Sequence, residues 1–269
     1  GTMKHQFRGE TIHIATGGRD FDATGKVVTL IHGSGQNHLT WILQSRYLAH
    51  RGYSILAPDF PGHGLSSGEP LTSVEEQAGW IIGLLESLSV CQYTLVGHSQ
   101  GALVSLEITV LVPERIQSLC LIAAAMSIPV NDYLIDASEK ALQKAVNLMT
   151  SWGHGSGAHL FDNTMPGHSF LEYGRRIMDS NNRGALLTDL SACNNYKNGE
   201  YAAGQICHPT LCILAEEDKM TPLKYGKAMA EKIKNSEVIV VEKAGHILPA
   251  EKPLEVNKAL NAFLKDSLS

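Results

Sequence analysis

A serine flanked by glycines is the clearest chemical signal in this 269-residue sequence. The run Gly97-His98-Ser99-Gln100-Gly101 fits the pattern G-x-S-x-G, directly after an apolar, strand-like run and directly before a helical one. A nucleophile on such a tight strand-to-helix turn needs small residues two positions before and after it. The helix then directs its N-terminal N–H groups at the reacting oxygen. This context predicts that Ser99 is a nucleophile and not an incidental serine in a glycine turn.

A serine hydroxyl is a poor nucleophile at neutral pH, so Ser99 requires a base and a group that orients the base. In the chain order typical of this turn, the acid comes next. The strand-like run 210–214 leads into three carboxylates, Glu216, Glu217 and Asp218. We predict that Asp218 is the acid, with the two glutamates as fallbacks whose default role is that of solvated loop charges.

The base is expected after the last strand-like run, residues 237–241. That run is followed by Gly245-His246, in a glycine-marked loop before the final helical segment. The chain has 12 histidines, so position and not residue type decides between them. Because His246 follows Ser99 and Asp218 in the expected order, we predict it as the general base. The alternative is a loop histidine that is satisfied by the backbone.

A developing oxyanion needs two backbone donors. One is expected from the residue after the nucleophile, the N–H of Gln100. The other is expected from the turn His32-Gly33-Ser34-Gly35, whose glycines allow the backbone to approach a substrate closely. We predict the N–H of Ser34 as this second donor, with His32 supporting the loop through hydrogen bonds.

The elements that position these residues are short, continuous apolar runs separated by helical segments. Such runs are typical of strands buried on both faces, as in parallel sheets. They cover residues 27–31, 53–57, 93–96, 119–122, 210–214 and 237–241. Helical spacing covers residues 74–88, 101–111, 224–234 and 253–264, and residues through 16 form two short strands around a Gly-Glu turn. The alternation predicts right-handed crossovers and a three-layer α/β domain.

One stretch, residues 126–205, carries no strand signal. Its run Asp-Ala-Ser-Glu at 136–139 resembles a capping box and predicts a helix that starts there, followed by an apolar stripe through 149. Two further helical patches cover residues 170–178 and 186–193. The predicted organisation is a core of residues 3–125 and 206–269 with a helical cap insertion of residues 126–205.

Composition excludes several classes of partner. The chain has 22 basic and 27 acidic residues and a net charge of −5, so it lacks the basic surface that nucleic acid or an anionic membrane requires. Its longest apolar stretch, 119–130, is shorter than the ~20 residues that span a bilayer. The 5 cysteines form no C-x-x-C pair, so we expect reduced thiols and a cytoplasmic protein. The sequence does not determine the oligomeric state.

No cofactor or metal is predicted. His154, His159 and His168 fall close together in the insertion, but their spacing does not place them on one face of a helix, and glycine and proline interrupt the stretch. A surface loop is the simpler interpretation of these three histidines.

Taken together, these motifs resemble the α/β-hydrolase fold superfamily over nearly the whole chain. The resemblance rests on H-G-S-G at 32–35, D-x-x-G-x-G-x-S at 59–66, the serine turn, D-x-x-x-P at 218–222 and G-H at 245–246. It implies an α/β three-layer sandwich whose eight-stranded, mostly parallel sheet carries a helical cap inserted after the sixth strand. The position of residues 126–205 matches that cap.

The resemblance also separates subfamilies. Ser99 stands where haloalkane dehalogenases and epoxide hydrolases carry an aspartate. The carbon–carbon bond hydrolases of meta-cleavage pathways usually carry asparagine at the position of His98 and tryptophan after the catalytic histidine, where this chain has Ile247. The run G-H-S-Q-G is more similar to carboxylesterases, thioesterases and related acyl hydrolases.

The sequence therefore predicts a serine hydrolase that cleaves an ester or related acyl bond of a small to medium molecule through an acyl-enzyme. Two alternatives remain: a carbon–carbon bond hydrolase with the same triad, and a non-catalytic small-molecule receptor on a hydrolase scaffold. The substrate pocket is expected between cap and sheet. Its predicted lining residues are Gln36, Trp41, Met126, Ile128, Ile247 and Leu248.

Overall fold

One eight-stranded sheet organises the protein, in a computed structural model that describes residues 1–159 and 169–269. The strands are β1 (Thr2–Phe7), β2 (Glu10–Ala15), β3 (Lys26–Ile31), β4 (Tyr53–Pro58), β5 (Tyr93–His98), β6 (Ile116–Ile122), β7 (Thr210–Ala215) and β8 (Ser236–Val241). Their order across the sheet is β1-β2-β4-β3-β5-β6-β7-β8. Each of the six strand-like runs predicted from the sequence lies within one of these strands.

Pairing in the sheet is mixed only at one edge. Strands β1 and β2 pair antiparallel, as do β2 and β4, whereas the pairs from β4 through β8 are all parallel. The carboxyl ends of β3, β5, β7 and β8 therefore open at the same edge, where parallel α/β sheets bind ligands. The chain continues from these ends into the serine turn and the loops that hold Asp218 and His246.

Helices cover both faces of the sheet. They are α1 (Ile42–Ala49), α2 (Val74–Ser87), α3 (Gln100–Leu111), α4 (Asp132–Lys140), α5 (Leu142–Gly153), α6 (Phe170–Asp179), α7 (Ala185–Asn195), α8 (Gly199–Gln205), α9 (Leu223–Lys232), α10 (Leu248–Glu251) and α11 (Pro253–Ser267). Two short 3₁₀ helices cover His38–Trp41 and Pro113–Arg115. None of the described helices is long and apolar enough to cross a membrane.

The core lies in two layers, one on each side of the sheet. One layer packs α2, α3, α8 and α9 against the strands, and the other packs α1 and α11 against the opposite face. Every residue of β4, β5 and β7 is buried, as continuous apolar runs predict. The three-layer α/β sandwich with a mostly parallel sheet is thus confirmed.

The last strand departs from the prediction that all the apolar runs are buried on both faces. Val238, Ile239 and Val240 are 40%, 39% and 38% exposed. The reason is position, because β8 pairs only with β7 and forms the edge of the sheet in the described part of the chain. An apolar run cannot by itself distinguish a central strand from an edge strand.

The insertion between β6 and β7 contains α4 to α8 in its described residues and no strand. The predicted helix start at 136–139 is wrong, because these residues lie inside α4. That helix is capped instead by Asn131, whose side chain accepts a hydrogen bond from the backbone N–H of Leu134 at 2.7 Å. An Asn cap seven residues upstream was overlooked because no glutamate completes a box there.

The insertion has a small apolar cluster of its own, separate from the two sheet layers. It joins α4, α5 and α7 through Leu134, Ala137, Ala145, Val146, Met149, Leu186 and Leu190. Its last helix behaves differently: Ala202 and Ala203 of α8, a helix that the sequence analysis did not predict, pack in the main core. The insertion therefore leans on the sheet and shares part of its core.

Candidate active site

The serine turn has the strained geometry that its glycines permit. Ser99 stands between β5 and α3 with φ 56° and ψ −118°, a region that residues with a side chain rarely occupy. A Cβ on Gly97 would lie 2.3 Å from the carbonyl oxygen of Gly101. A Cβ on Gly101 would lie 2.1 Å from the carbonyl oxygen of Ile31. Strand and helix thus approach so closely that only glycine fits at both positions.

Ser99, His246 and Asp218 form one hydrogen-bonded chain. The hydroxyl oxygen Oγ of Ser99 lies 2.7 Å from Nε2 of His246, and Nδ1 of His246 lies 2.9 Å from Oδ2 of Asp218. All three side chains are buried. A neutral imidazole that donates from Nδ1 to the carboxylate accepts the serine proton at Nε2. The three residues singled out from the sequence are therefore brought together in the arrangement that activates a serine.

Asp218 is held as a carboxylate. Its Oδ1 accepts hydrogen bonds from the N–H groups of Met220 and Thr221, and its Oδ2 accepts one from the Thr221 hydroxyl, at distances of 2.8–2.9 Å. Burial alone would raise the pKa of Asp218, but the adjacent His246 and the bonds from Thr221 hold that pKa below its usual value. Sequence reasoning missed Thr221, although it follows the acid directly in the same loop.

The two competing glutamates lie elsewhere. Glu216 is exposed and accepts a hydrogen bond from the Lys243 N–H at 3.1 Å. Glu217 accepts bonds from the N–H and hydroxyl of Ser156 in the insertion, at 2.9 and 2.8 Å. These carboxylates therefore connect loops, whereas Asp218 is the carboxylate bonded to His246.

The loop of His246 is fixed from two sides. His98 donates from Nε2 to the His246 carbonyl oxygen at 2.7 Å, and burial lowers the pKa of His98 to about 3, so its imidazole is neutral. On the other side, buried Glu251 accepts hydrogen bonds from the N–H groups of Gly245 and Gly155, at 3.1 and 2.7 Å. Gly155 belongs to the insertion, which is thus tied directly to the histidine loop.

We use the term oxyanion turn for residues 33–36, which follow β3. The hydroxyl of Ser34 donates to the side-chain oxygen of Gln100, the residue after the nucleophile. The Gly33 N–H donates to Oε1 of Gln36 at 3.2 Å. Gln100 begins α3, so its own N–H has no acceptor within the helix and is available to a substrate oxygen. The side chains thus hold the two predicted oxyanion donors, Ser34 and Gln100, next to each other.

His32 supports this turn as the sequence analysis expected. Its Nδ1 lies 3.0 Å from the Gly33 carbonyl oxygen, and its Nε2 accepts from the Phe60 N–H at 3.3 Å. Burial lowers the pKa of His32 to about 4, and the nearby His63 lowers it further. The imidazole is therefore neutral, with its single proton on Nδ1.

A cavity of about 130 Å³ opens onto Ser99 and His246. Of the predicted lining residues, Ser34, Gln36, Ile128 and Ile247 line it. The remaining lining residues, which the sequence analysis did not name for the pocket, are Pro129, Val130, Asn131, Leu134, Met149, Trp152, Leu190, Cys193, Lys219 and Met220.

Three predicted lining residues do not line this cavity in the described part of the chain. Trp41 is fully buried and packs edge-on to His98, with ring centroids 6.3 Å apart. Leu248 is fully buried in the core layer that contains α1 and α11. Met126 borders a different depression, beside Gly199. Proximity in sequence to a site residue does not fix the direction of a side chain, which explains all three cases.

With this geometry in place, comparison with known proteins becomes informative. The chain matches the model of the Alpha/beta hydrolase family over residues 30–259. This protein belongs to the alpha/beta hydrolase family. It is an enzyme, a hydrolase.

Individual relatives show the range of chemistry in the family. The hydrolase is 30% identical to the protein of the solved "Structure of a thermophilic esterase", with a TM-score of 0.81 and coverage of 99% of this chain and 98% of that one. It is 23% identical to the (E)-2-((N-methylformamido)methylene)succinate hydrolase of Acinetobacter baylyi, over 90% of this chain and 91% of the relative.

A third relative is longer than this hydrolase. The dihydrolipoyllysine-residue acetyltransferase component of the acetoin cleaving system of Pseudomonas putida is 28% identical over 90% of this chain. The hydrolase spans 64% of that relative's length.

One group of side chains in the described part of this hydrolase has ligand atoms close enough to share a metal ion: His13, His38 and Asp59. Asp59 is fully buried, and its two oxygens lie 2.9–3.0 Å from Nδ1 of both histidines. It also accepts hydrogen bonds from the N–H groups of His38 and Leu65, at 2.7 and 3.0 Å. The carboxylate thus has a structural task, joining β2 and the 3₁₀ helix at His38 to the loop after β4.

The histidines of the insertion do not form a site in the residues that the structure describes. His154 is buried and its Nδ1 lies 2.7 Å from the carbonyl oxygen of Thr150. Nε2 of His159 lies 3.0 Å from the carbonyl oxygen of Ser151. His168 lies outside the described residues. The 5 cysteines of the hydrolase are all free thiols.

Proposed function

We propose that this hydrolase cleaves carboxylic esters of small molecules through Ser99, His246 and Asp218. The observation that carries the proposal is the hydrogen-bonded chain from Ser99 to His246 and Asp218, with its serine facing a small, largely apolar cavity. The similarity to the thermophilic esterase supports the ester as the bond that is cleaved.

The reaction follows from this geometry. Ser99 Oγ attacks the carbonyl carbon of the ester, and Nε2 of His246 takes the hydroxyl proton. The carbonyl oxygen becomes an anion held by the N–H groups of Ser34 and Gln100. The C–O bond to the alcohol then breaks, and the leaving alkoxide takes the proton from His246. Water attacks the acyl-enzyme by the same route, which releases the carboxylic acid and restores Ser99.

The size of the cavity limits the acyl group. A cavity of about 150 Å³ holds one benzene molecule, and the cavity here has a volume of about 130 Å³. Its walls are mainly aliphatic, from residues such as Ile128, Leu134, Met149 and Leu190. These dimensions favour a short acyl chain. Residues 126–205 act as a cap in this proposal, because much of the wall comes from α4, α5 and α7.

The test is hydrolysis of p-nitrophenyl esters from acetate to dodecanoate by the wild type, Ser99→Ala and Ser105→Ala. Ser105 is a matched control, since it is as buried as Ser99 and its hydroxyl only donates to the Gly101 carbonyl oxygen at 2.8 Å. We expect turnover that is lost in Ser99→Ala and retained in Ser105→Ala.

Other results would redirect the assignment. Wild-type turnover that survives in Ser99→Ala would contradict a serine nucleophile. No turnover of any ester by a folded wild type would contradict the proposal, and cleavage of dienoic keto acids would then identify the carbon–carbon bond hydrolase. Binding of a small molecule without turnover of either class would identify the receptor.

A further inference from the structure

A buried aspartate of the insertion is bonded to the oxyanion turn. Asp189 lies in α7 and is 1% exposed. Its Oδ2 accepts a hydrogen bond from the N–H of Gly35 at 2.8 Å. The other oxygen, Oδ1, is buried and has no hydrogen-bond partner among the described residues. A buried carboxylate is costly unless something compensates its charge, so its presence against the turn calls for a physical reason.

The compensating charge comes from His63, which is also fully buried. Nε2 of His63 lies 2.6 Å from Oδ2 of Asp189, and Nδ1 lies 2.9 Å from the carbonyl oxygen of Pro61. Carbonyl and carboxylate oxygens only accept hydrogen bonds, so both ring nitrogens must donate. His63 is therefore an imidazolium. Burial by itself would lower the pKa of His63, but the carboxylate of Asp189 raises it above the usual value.

Stability alone is a weak explanation for this ion pair. Buried pairs repay little of the cost of removing two charges from water, whereas they impose a strict geometry on their partners. Here the geometry is imposed on a turn that has few other means of keeping its shape. Gly35 has φ +68°, and Gly33 and Gly35 carry no side chains that could pack and hold the turn.

The oxyanion turn is held from two directions. From the core, Oε1 of Gln36 accepts the Gly33 N–H. From the insertion, Asp189 accepts the Gly35 N–H, and Asn181 donates to the carbonyl oxygen of Gly35 at 2.8 Å. Ser34, the predicted donor to the oxyanion, lies between these two sets of bonds. Movement of the Gly35 peptide would rotate the neighbouring peptide that carries the Ser34 N–H.

We propose that Asp189, paired with His63, is a positioning residue that sets the orientation of the oxyanion turn. The insertion then completes the oxyanion hole in addition to lining the cavity. This inference rests on the proposed esterase function, because an oxyanion forms only in acyl transfer. It assigns to Asp189 no contact with the substrate.

The first test is steady-state kinetics of Asp189→Ala and Asp189→Asn on a short p-nitrophenyl ester. We expect kcat to fall roughly ten- to a hundredfold in Asp189→Ala with KM changed by less than about threefold, because the N–H of Ser34 bonds the oxyanion more strongly than the ground-state carbonyl. Asp189→Asn keeps an oxygen for the Gly35 N–H, so we expect a smaller loss. It also serves as the second variant if Asp189→Ala does not fold.

The second readout is binding of a trifluoromethyl ketone. The ketone carbon is attacked by Ser99 Oγ, and the resulting hemiketal oxygen takes the place of the oxyanion. Its inhibition constant should weaken by the same factor as kcat/KM across the Asp189 variants, because both depend on the same N–H donors. A purely structural role for Asp189 would lower the melting temperature and leave these two quantities unchanged per folded molecule.

Two controls sharpen the result. Tyr173→Phe removes another hydrogen bond between insertion and core, from the Tyr173 hydroxyl to the Leu39 carbonyl oxygen at 2.9 Å. It should leave kcat and ketone affinity unchanged. If His63 acts through Asp189, then His63→Gln combined with Asp189→Ala should lose no more activity than the more damaging single variant.

Each outcome decides the inference. Asp189 variants that keep wild-type kcat and ketone affinity would overturn it, as would a loss shared equally by Tyr173→Phe. Independent, multiplicative losses from His63 and Asp189 would overturn the pairing. A wild type that neither hydrolyses esters nor binds the ketone would overturn the proposed function and this inference together, and that result differs from an active wild type with insensitive variants.

Discussion

At the scale of single residues, the reactivity of Ser99 depends on the charge state of its partners. Asp218 keeps a negative charge because three hydrogen bonds and the adjacent His246 compensate for its burial. That charge fixes the imidazole tautomer and stabilises the imidazolium that forms when the serine proton moves. The neutral His98 contributes no competing charge beside it.

Replacing Asp218 by asparagine should therefore lower kcat by about 10⁴-fold with little change in fold, because the amide cannot hold the imidazole with its proton on Nδ1. Glu217→Gln is the matched control, since Glu217 precedes Asp218 and bonds only to Ser156 among the described residues. Its kcat should stay within about twofold of wild type. Ester hydrolysis under saturating substrate measures both, and equal losses would point to general damage to the loop.

The pH dependence of kcat/KM follows from the same charges. A base must be neutral to act, so activity should fall as His246 becomes protonated on the acid side. The pKa of Asp218 is lowered, so its carboxylate stays ionised well below the usual value of about 3.9 and adds no second ionisation in that range. The logarithm of kcat/KM should fall with a slope of one. A slope of two between pH 7 and 4.5 would show that a second group titrates.

At the scale of secondary-structure elements, contact between β5 and α3 decides where the nucleophile stands. The two glycines of the serine turn remove the side chains that would force strand and helix apart. The same turn carries Ser99 at a positive φ, which close packing on both sides must maintain. The chemistry of one side chain thus depends on two neighbours that do no chemistry.

Gly101→Ala should destabilise the fold by about 2–4 kcal/mol, because the added Cβ would meet a backbone carbonyl oxygen that cannot move aside. Gly79→Ala is the control in another helix, α2. A Cβ there meets no described atom within 4 Å, so alanine should stabilise the protein by about 0.5–1 kcal/mol. Urea denaturation measures both changes. A neutral Gly101→Ala would contradict the close approach of α3 to β3.

At the scale of the whole molecule, the cavity belongs to neither the core nor the insertion alone. Ser34, Ser99 and His246 come from the core, whereas Leu134 and Met149 come from the insertion. The insertion is also bonded to both halves of the site, through Gly155 at the histidine loop and through Asp189 at the oxyanion turn. Substrate size is therefore a property of how the two parts pack.

Met149→Ala should shift the preference for acyl chains toward longer esters, because it removes a side chain from the wall of the cavity. Each extra methylene that becomes buried is worth about 0.8 kcal/mol, or roughly fourfold in kcat/KM. Val146→Ala is a matched control in the same helix, since Val146 is buried in the insertion's apolar cluster and does not line this cavity in the described structure. The p-nitrophenyl series measures both profiles, and parallel shifts would indicate loosening of α5.

Much of the fold could be predicted from the sequence because its signals are local. Apolar runs fix the strands, helical spacing fixes most helices, and the alternation between them leaves one architecture. The errors were also local in origin. Residues 136–139 form a plausible cap by type, yet Asn131 caps the helix, and β8 is apolar although it stands at the edge of the sheet.

The sequence by itself determined which residue types could do the chemistry and in what order, because the serine turn, the acid loop and the histidine loop each follow a strand. Only the tertiary structure decided how they meet. It joined Ser99, His246 and Asp218 across 147 positions in the chain, excluded Glu216 and Glu217, and turned Trp41 into the core. It also brought Asp189 to Gly35, 154 positions away. Side-chain direction and long-range contact depend on packing of the whole chain, which no local pattern encodes.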